Sequence, residues 1–167
     1  KKWFPYNKGG EFRKWYGNQE YLVNWENDGQ EIANFKPRAV IRNPSYYFQE
    51  SITWSFVSSS CFGVRFSPKG FIFDVGGSSL FTEQENMTFL TSLLCSKIAF
   101  DLMKIMNPTL NFQVGNVASI PIVKNNNSLI ETVGVKSISL SRQDWNSYET
   151  SWDFTTLPLL RVGSENL

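Results

Sequence analysis

The chain has 167 residues, of which 41% are hydrophobic, 19% are charged and 16% are aromatic. This size and composition fit one globular domain, or one domain with an extension, and exclude a disordered chain. The net charge of +1 excludes a polyanion-binding tail, although it still permits a local DNA-reading face.

The first third of the chain is predicted to combine short strands with turns. Gly9-Gly10 and Gly17-Asn18 mark turns within residues 1–19, and the mixed charged and aromatic residues 11–16 between them are typical of a short exposed strand. Residues 20–25 form a further strand candidate. Residues 30–49, which contain two prolines, are expected to form a loop with one helical turn, and the alternation at residues 51–56 predicts another strand.

Two more alternating segments predict a β-hairpin. Residues 62–66 place Phe and Val side chains on one face and Arg65 on the other, and residues 71–75 repeat the alternation. The intervening Ser-Pro-Lys-Gly is a plausible turn, so the two segments are predicted to pair with each other.

One long helix is predicted after the strands. Thr82 and Glu85 have the spacing of a capping box, and Asn107-Pro108 ends the run. The apolar residues at helical spacing between these signals are Leu90, Leu93, Leu94, Ile98, Leu102 and Ile105. Each of these side chains stabilises a fold by roughly 1.5–3 kcal/mol when buried, so we expect the helix to pack on the strands.

The remaining elements are short in this interpretation. Two extended pieces and a polar loop are expected at residues 111–114, 119–123 and 125–127. Residues 130–140 fit either helix or strand, and Ser141 with Asp144 is typical of the cap of a last short helix.

These elements predict an α+β fold. We expect a β-rich domain over residues 1–123, with one long amphipathic helix packed on it, and a C-terminal extension over residues 124–167.

The cysteines and the hydropathy bear on the cellular location. Cys61 and Cys95 are too few for a disulfide framework, and no histidine or C-x-x-C pair supports a zinc site. The sequence has no signal-peptide pattern and no apolar run of membrane-spanning length. We therefore expect a cytoplasmic protein with no membrane partner and no metal. Because Lys1 opens what resembles the interior of a domain, we expect a piece of a longer protein.

Basic and aromatic residues alternate in two segments. Residues 1–42 carry eight basic and five acidic residues, a net charge of 8 − 5 = +3, whereas the rest nets 8 − 10 = −2. Arg13 and Lys14 lie among aromatic rings, as does Arg65. Arginine can read guanine and lysine can hold phosphates, which suggests DNA contact. The alternative from composition alone is a solvated strand face with aromatic residues in the core.

Several blocks of the sequence are long enough to be specific. The longest reads Lys-Trp-Phe-Pro-Tyr-Asn-Lys-Gly-Gly-Glu-Phe-Arg-Lys-Trp-Tyr-Gly-Asn, and the set comprises residues 2–18, 20–25, 51–55, 62–74, 107–115 and 144–154. These blocks resemble the PglX family, the adenine-specific methyltransferases of BREX phage-resistance systems, and more distantly fused restriction-modification methyltransferases. The resemblance implies a piece that lies C-terminal to the catalytic domain, in the region that carries target recognition.

The resemblance also implies a function. The chain is expected to bind double-stranded DNA and to position it for the parent protein's methyltransferase domain, which uses S-adenosylmethionine to methylate a flipped adenine. Other partners implied are further subunits of the defence system. The residues that we expect at the DNA face are Arg13, Lys14, Arg42, Arg65 and Lys69.

No catalytic or cofactor-binding residue is expected in the chain itself. Asn43-Pro44-Ser45-Tyr46 lacks the second proline of the family's [N/D]-P-P-[Y/F/W] loop, and residues 73–77 lie after it, where a methyl-donor loop would precede it. The lack of histidine excludes a nucleophile activated by imidazole. Glu83 and Glu85 are better explained as first-turn helix charges than as nuclease ligands.

Two alternatives to DNA recognition remain open at this point. The aromatic-rich surface could dock another subunit of the defence complex, or a phage countermeasure protein, through contacts that are insensitive to salt. An independent nuclease would instead require metal-dependent cleavage by this chain alone.

Overall fold

A computed structural model describes residues 1–35, 37–58, 61–123 and 128–161. The strands are β1 (Trp3–Asn7), β2 (Tyr21–Asn24), β3 (Ser51–Trp54), β4 (Val64–Ser67), β5 (Ile72–Phe73) and β6 (Ser79–Leu80). The helices are α1 (Gln30–Asn34), α2 (Gln84–Cys95), α3 (Lys97–Met106), α4 (Val114–Ala118), α5 (Ser128–Trp145) and α6 (Pro158–Arg161), with a 3-10 helix at Pro44–Tyr46. This combination of small sheets and helices confirms the α+β class. The polar loop predicted at residues 125–127 lies outside the described residues.

The described strands form two three-stranded sheets. In the β1 sheet, β1 lies between antiparallel β2 and parallel β5. In the β3 sheet, β3 lies between antiparallel β4 and β6. The hairpin predicted from residues 62–66 and 71–75 is therefore wrong, because β4 and β5 belong to different sheets. Alternation reveals that a segment is a strand, but it does not identify the partner strand.

The β3 sheet buries its apolar face against the helices. Ile52, Trp54 and Val64 are almost completely buried there, in a cluster that also contains Met103 of α3 and Phe112. Trp54 Nε1 donates a hydrogen bond of 2.8 Å to the Phe112 carbonyl, so the largest ring of this core has its polar atom paired.

The opposite face of the β3 sheet carries small hydroxyl side chains. Its buried members Ser51, Thr53, Ser55 and Ser67 are here called the hydroxyl layer. It lies against the end of β1 and the turn before β6: Asn7 Nδ2 donates to Ser67 Oγ at 2.8 Å, and Thr53 Oγ1 is 3.1 Å from the Ser78 carbonyl. The two sheets thus meet through polar groups, and the β1 sheet has a separate apolar cluster around Trp25, Tyr47 and Ile72.

The predicted single helix is two helices. Ser96 has an extended backbone between α2 and α3, and its Oγ accepts a hydrogen bond of 3.2 Å from the Ala99 amide, which makes it an N-cap. The chain changes direction there, so Ile98 and Ile105 are 68% and 79% exposed while Ala99 is buried. The capping box predicted at residues 82–85 does not form, because the N-cap of α2 makes no side-chain hydrogen bond.

The C-terminal segment contains the longest described helix. The ambiguous residues 130–140 and the predicted short helix after them both belong to α5. The helix packs on α2 at Gly134, where an added Cβ would clash with side-chain atoms of Ser92 and Thr88. No helix in the described ranges is long and apolar enough to cross a membrane.

Candidate functional site

Three of the five predicted DNA-contacting residues lie close together. Arg13 and Lys14 precede Trp15, and a backbone bridge joins Trp15 to β4 beside Arg65. In this bridge the Trp15 amide donates to the Val64 carbonyl and the Phe66 amide donates to the Trp15 carbonyl, both at 2.8 Å. Arg13, Lys14 and Arg65 are here called the basic cluster.

Arg13 connects the basic cluster to the end of α5. Its Nη1 lies 2.9 Å from Asp144 Oδ2, and its guanidinium carbon lies 4.9 Å from the ring centroid of Trp145. The side chain keeps 27% of its surface exposed, so Arg13 is partly accessible from solvent. The predicted exposed strand at residues 11–16 is absent, and only Trp15 takes part in a bridge.

Lys14 lies at the C-terminal end of α2. Its Nζ donates a hydrogen bond of 2.8 Å to the carbonyl of Cys95, the last residue of that helix. A cation at this position satisfies one of the carbonyls left unpaired at a helix end and interacts favourably with the helix dipole. The Lys14 carbonyl in turn accepts a hydrogen bond from Ser141 Oγ at 3.3 Å.

Arg65 is buried, with 2% of its surface exposed. Its Nη2 lies 3.5 Å from Ser55 Oγ, and its Nε has no hydrogen-bond partner. Burial, followed by the neighbouring charge of Arg13, lowers the pKa of Arg65 to about 10, and Cys95 opposes this shift only where its thiol is ionised. In this conformation a duplex at the surface does not reach the guanidinium, although the alternation correctly placed Arg65 on the polar face of its strand.

The charges of the basic cluster are not balanced. The basic cluster contains three cations, and across the described ranges Asp144 is the one carboxylate that forms an ion pair with any of them. The net charge of the cluster and this carboxylate is therefore 3 − 1 = +2. The Cys95 thiol does not contribute a negative charge, because burial raises its pKa above the usual value. The cluster is therefore a local positive site in a chain of almost zero net charge.

The other two predicted residues lie elsewhere. Arg42 is exposed just before the 3-10 helix, and Lys69 is exposed in the turn that follows β4. The structure therefore does not bring all five residues into one site, and whether any of them contacts DNA stays a prediction.

A second site, which the sequence did not predict, is a cleft of about 690 Å³ beside the β1 sheet. Its lining includes Tyr6, Asp74, Arg38 and Arg42. Burial and then a hydrogen bond to Asp74 raise the pKa of the Tyr6 hydroxyl well above its usual range. Asp74 also accepts the Gly76 amide at 2.8 Å, so this carboxylate stabilises the glycine turn.

The segment that superficially resembles a catalytic loop is an exposed turn. Asn43 has a left-handed backbone with φ 51° and begins the 3-10 helix, and it does not follow a strand. Its neighbours Pro44, Ser45 and Tyr46 are all exposed. The geometry therefore lacks the buried strand end on which such a loop would be mounted.

Comparison with known sequences identifies the class of protein. No protein-family profile matches the chain. The chain is nevertheless homologous to one segment of bacterial adenine-specific methyltransferases, which confirms the resemblance seen in the sequence.

Two of these relatives can be named. Adenine-specific methyltransferase BrxX of Escherichia coli O9:H4 (strain HS) is 46% identical in an alignment of 162 positions that covers 95% of this chain. Adenine-specific methyltransferase PglX of Lacticaseibacillus casei (strain Zhang) is 42% identical in an alignment of 167 positions that covers 96% of this chain. The chain spans 13% and 14% of the lengths of these two relatives.

Proposed function

We propose that this chain is the DNA target-recognition segment of an N6-adenine-specific DNA methyltransferase from a restriction-modification or phage-defence system of the BREX type. It binds duplex DNA in the cytoplasm and positions it for a separate catalytic domain that holds S-adenosylmethionine. In this proposal the chain supplies no catalytic residue and no cofactor ligand. Residues 1–123 form the recognition unit, and residues 124–167 lead into the rest of the parent protein.

The unbalanced charge of the basic cluster is the observation that carries this proposal. Arg13, Lys14 and Arg65 come from two separate segments that the bridge at Trp15 brings together, and among the described residues one carboxylate, Asp144, forms an ion pair with the cluster, through Arg13. A positive site of this kind attracts phosphate, which supplies most of the sequence-independent affinity for DNA. Arg42 and Lys69, exposed on other elements, provide further contacts along the duplex.

A docking module is the second candidate, and one observation favours it. Leu129, Val133 and Leu140 are exposed on α5, and Ile98 and Ile105 are exposed on α3. Exposed apolar side chains in such numbers are typical of a surface that packs on another protein or domain. In that case binding depends on apolar contacts and changes little with salt concentration.

A segment exchange in cells tests the first candidate. Residues 1–123 replace the matching segment of the full-length E. coli relative, and sequencing of the methylated genome identifies the modified adenines. We expect the methylated motif to change to that of this chain's parent. If methylation continues at the recipient's own motif, the segment does not specify the target and the docking function is favoured.

A further inference from the structure

Arg65 has the chemical features of an incomplete binding site. It carries a positive charge at 2% exposure, and within the described residues no carboxylate forms an ion pair with it. A buried charge without a counter-charge opposes folding. The hydroxyl that it contacts, Ser55 Oγ, already donates a hydrogen bond of 2.8 Å to the Gly10 carbonyl.

The free edge of the guanidinium has the geometry of an anion receptor. Nε has no partner and Nη2 has one contact, at 3.5 Å, so the two N–H groups on the same edge of the fork are unused or weakly used. A pair of parallel N–H donors matches two oxygens of one phosphate or carboxylate. The charge of Arg13 is close enough to act on this guanidinium, and Lys14 and Arg65 both lie near Cys95.

The turn of residues 8–12 is fastened to the protein on this side of the β3 sheet. Gly9 and Gly10 have φ of 93° and 129°. Neither has a side chain, so only backbone atoms of these two residues lie over this side of the sheet. The bonds that hold the turn include Ser55 Oγ to the Gly10 carbonyl and Asn18 Nδ2 to the Glu11 carbonyl, both at 2.8 Å. A turn of this kind, held by a few hydrogen bonds of which one is exposed, can open without unfolding of the sheet.

We propose that Arg65 forms the base of a site for one backbone phosphate of duplex DNA, which it binds through its Nε and Nη2 edge when the turn of residues 8–12 moves away. This inference rests on the proposed DNA-binding function and specifies which chemical group the basic cluster holds. A backbone phosphate fits better than a base edge, since phosphates protrude from the duplex and the site lies below the protein surface.

The test uses the E. coli relative that carries this chain in place of its own matching segment, with a short duplex as the probe. Arg65→Met removes the charge and keeps an unbranched apolar side chain. We expect affinity to fall about tenfold, and the slope of log affinity against log salt to shrink by about 0.9, the value for one phosphate contact. Hydrogen exchange of the β4 amides should stay unchanged or slow down, because the variant no longer buries an unpaired charge.

Two further results decide between binding and a purely structural role. Arg65→Lys keeps the charge and loses the paired N–H donors of the guanidinium, so we expect the same salt slope with a lower affinity. If Arg65→Met does not fold, this variant alone tests whether Arg65 binds a phosphate. Faster exchange in β4 with unchanged affinity and slope in both variants would overturn the inference. Failure of the DNA-recognition function is seen separately, as a methylated motif that does not follow the exchanged segment.

Discussion

The guanidinium of Arg13 lies 4.9 Å from the ring centroid of Trp145 and joins the turn after β1 to the C-terminal end of α5. The contact spans most of the sequence, and Trp145 is buried beneath it. The C-terminal helix is therefore part of the surroundings of the basic cluster, although the sequence suggested that residues 124–167 form an extension. The proposed boundary at residue 123 stays a prediction.

Truncation of Trp145 tests how strongly this junction stabilises the fold. We expect Trp145→Ala to lower the free energy of unfolding by about 3–5 kcal/mol, because it removes a large buried ring and leaves a cavity. Urea denaturation of the purified chain measures the change. Trp3→Ala, at an exposed tryptophan of β1, is the matched control and should have a much smaller effect.

Substitution by alanine is expected to have opposite effects on stability at two glycines, one at the contact between α5 and α2 and the other in α4. A Cβ at Gly134 meets Ser92 and Thr88, so we expect Gly134→Ala to destabilise the chain by about 1–3 kcal/mol through overpacking. Gly115 in α4 has no atom within 4 Å of an added Cβ, and Gly115→Ala should stabilise by about 0.4–1 kcal/mol. Equal effects in thermal denaturation would contradict the close packing of α5 on α2.

The buried Cys95 thiol predicts a loss of stability at alkaline pH. Burial raises its pKa above the usual value of 9.0, so the unfolded chain releases this proton first. The stability linked to Cys95 is fully present below pH 9 and is lost as the pH rises from there towards the folded-state pKa. Cys95→Ala should therefore flatten part of the fall in the unfolding midpoint between pH 9 and pH 10, and the buried tyrosines, whose pKa values are also raised, account for the part that remains. An equally steep fall in the variant would assign the pH dependence to other groups.

Removal of the two partly exposed cations of the basic cluster tests its role in DNA binding. In the E. coli relative that carries this chain, Arg13→Ala with Lys14→Ala should reduce the slope of log affinity against log salt by about 1.8, if each cation neutralises one phosphate. Filter binding at several salt concentrations measures this slope. Lys136→Ala, at an exposed lysine on α5, is the control for a change of surface charge and should leave the slope nearly unchanged. An unchanged slope in the double variant would exclude both residues from the DNA contact.

The local pattern predicted the strands better than their partners. Local sequence patterns identified β2, β3 and β4 within a few residues, and in β3 and β4 the pattern was the alternation of apolar and polar residues. The partners of β4 and β5 depend on contacts that are distant in sequence, and the short β1 was hidden among turn signals. Ser96 interrupts an otherwise regular apolar repeat, and the N-cap that its hydroxyl forms was not considered in the helix prediction.

Arg65 shows the same limit for the candidate site. The sequence placed it on the polar face of β4, which is correct, and a polar strand face usually contacts water. The glycine turns of residues 9–10 and 76–77 instead cover this face, on which the small side chains of the hydroxyl layer lie beside Arg65. The small size of those residues was the available signal, because serine and glycine let two backbones approach closely.

The hydroxyl layer also determines how the molecule responds to temperature. Separation of the β1 sheet from the β3 sheet exposes mainly hydroxyl and peptide groups, whereas unfolding of either sheet exposes the aromatic clusters. Polar surface lowers the heat capacity on exposure and apolar surface raises it. Separation of the two sheets would therefore have a small or negative heat-capacity change. Its free energy would vary with temperature with little curvature. Most of the heat-capacity change of unfolding therefore comes from the two apolar clusters, and the contact between the sheets contributes little to it.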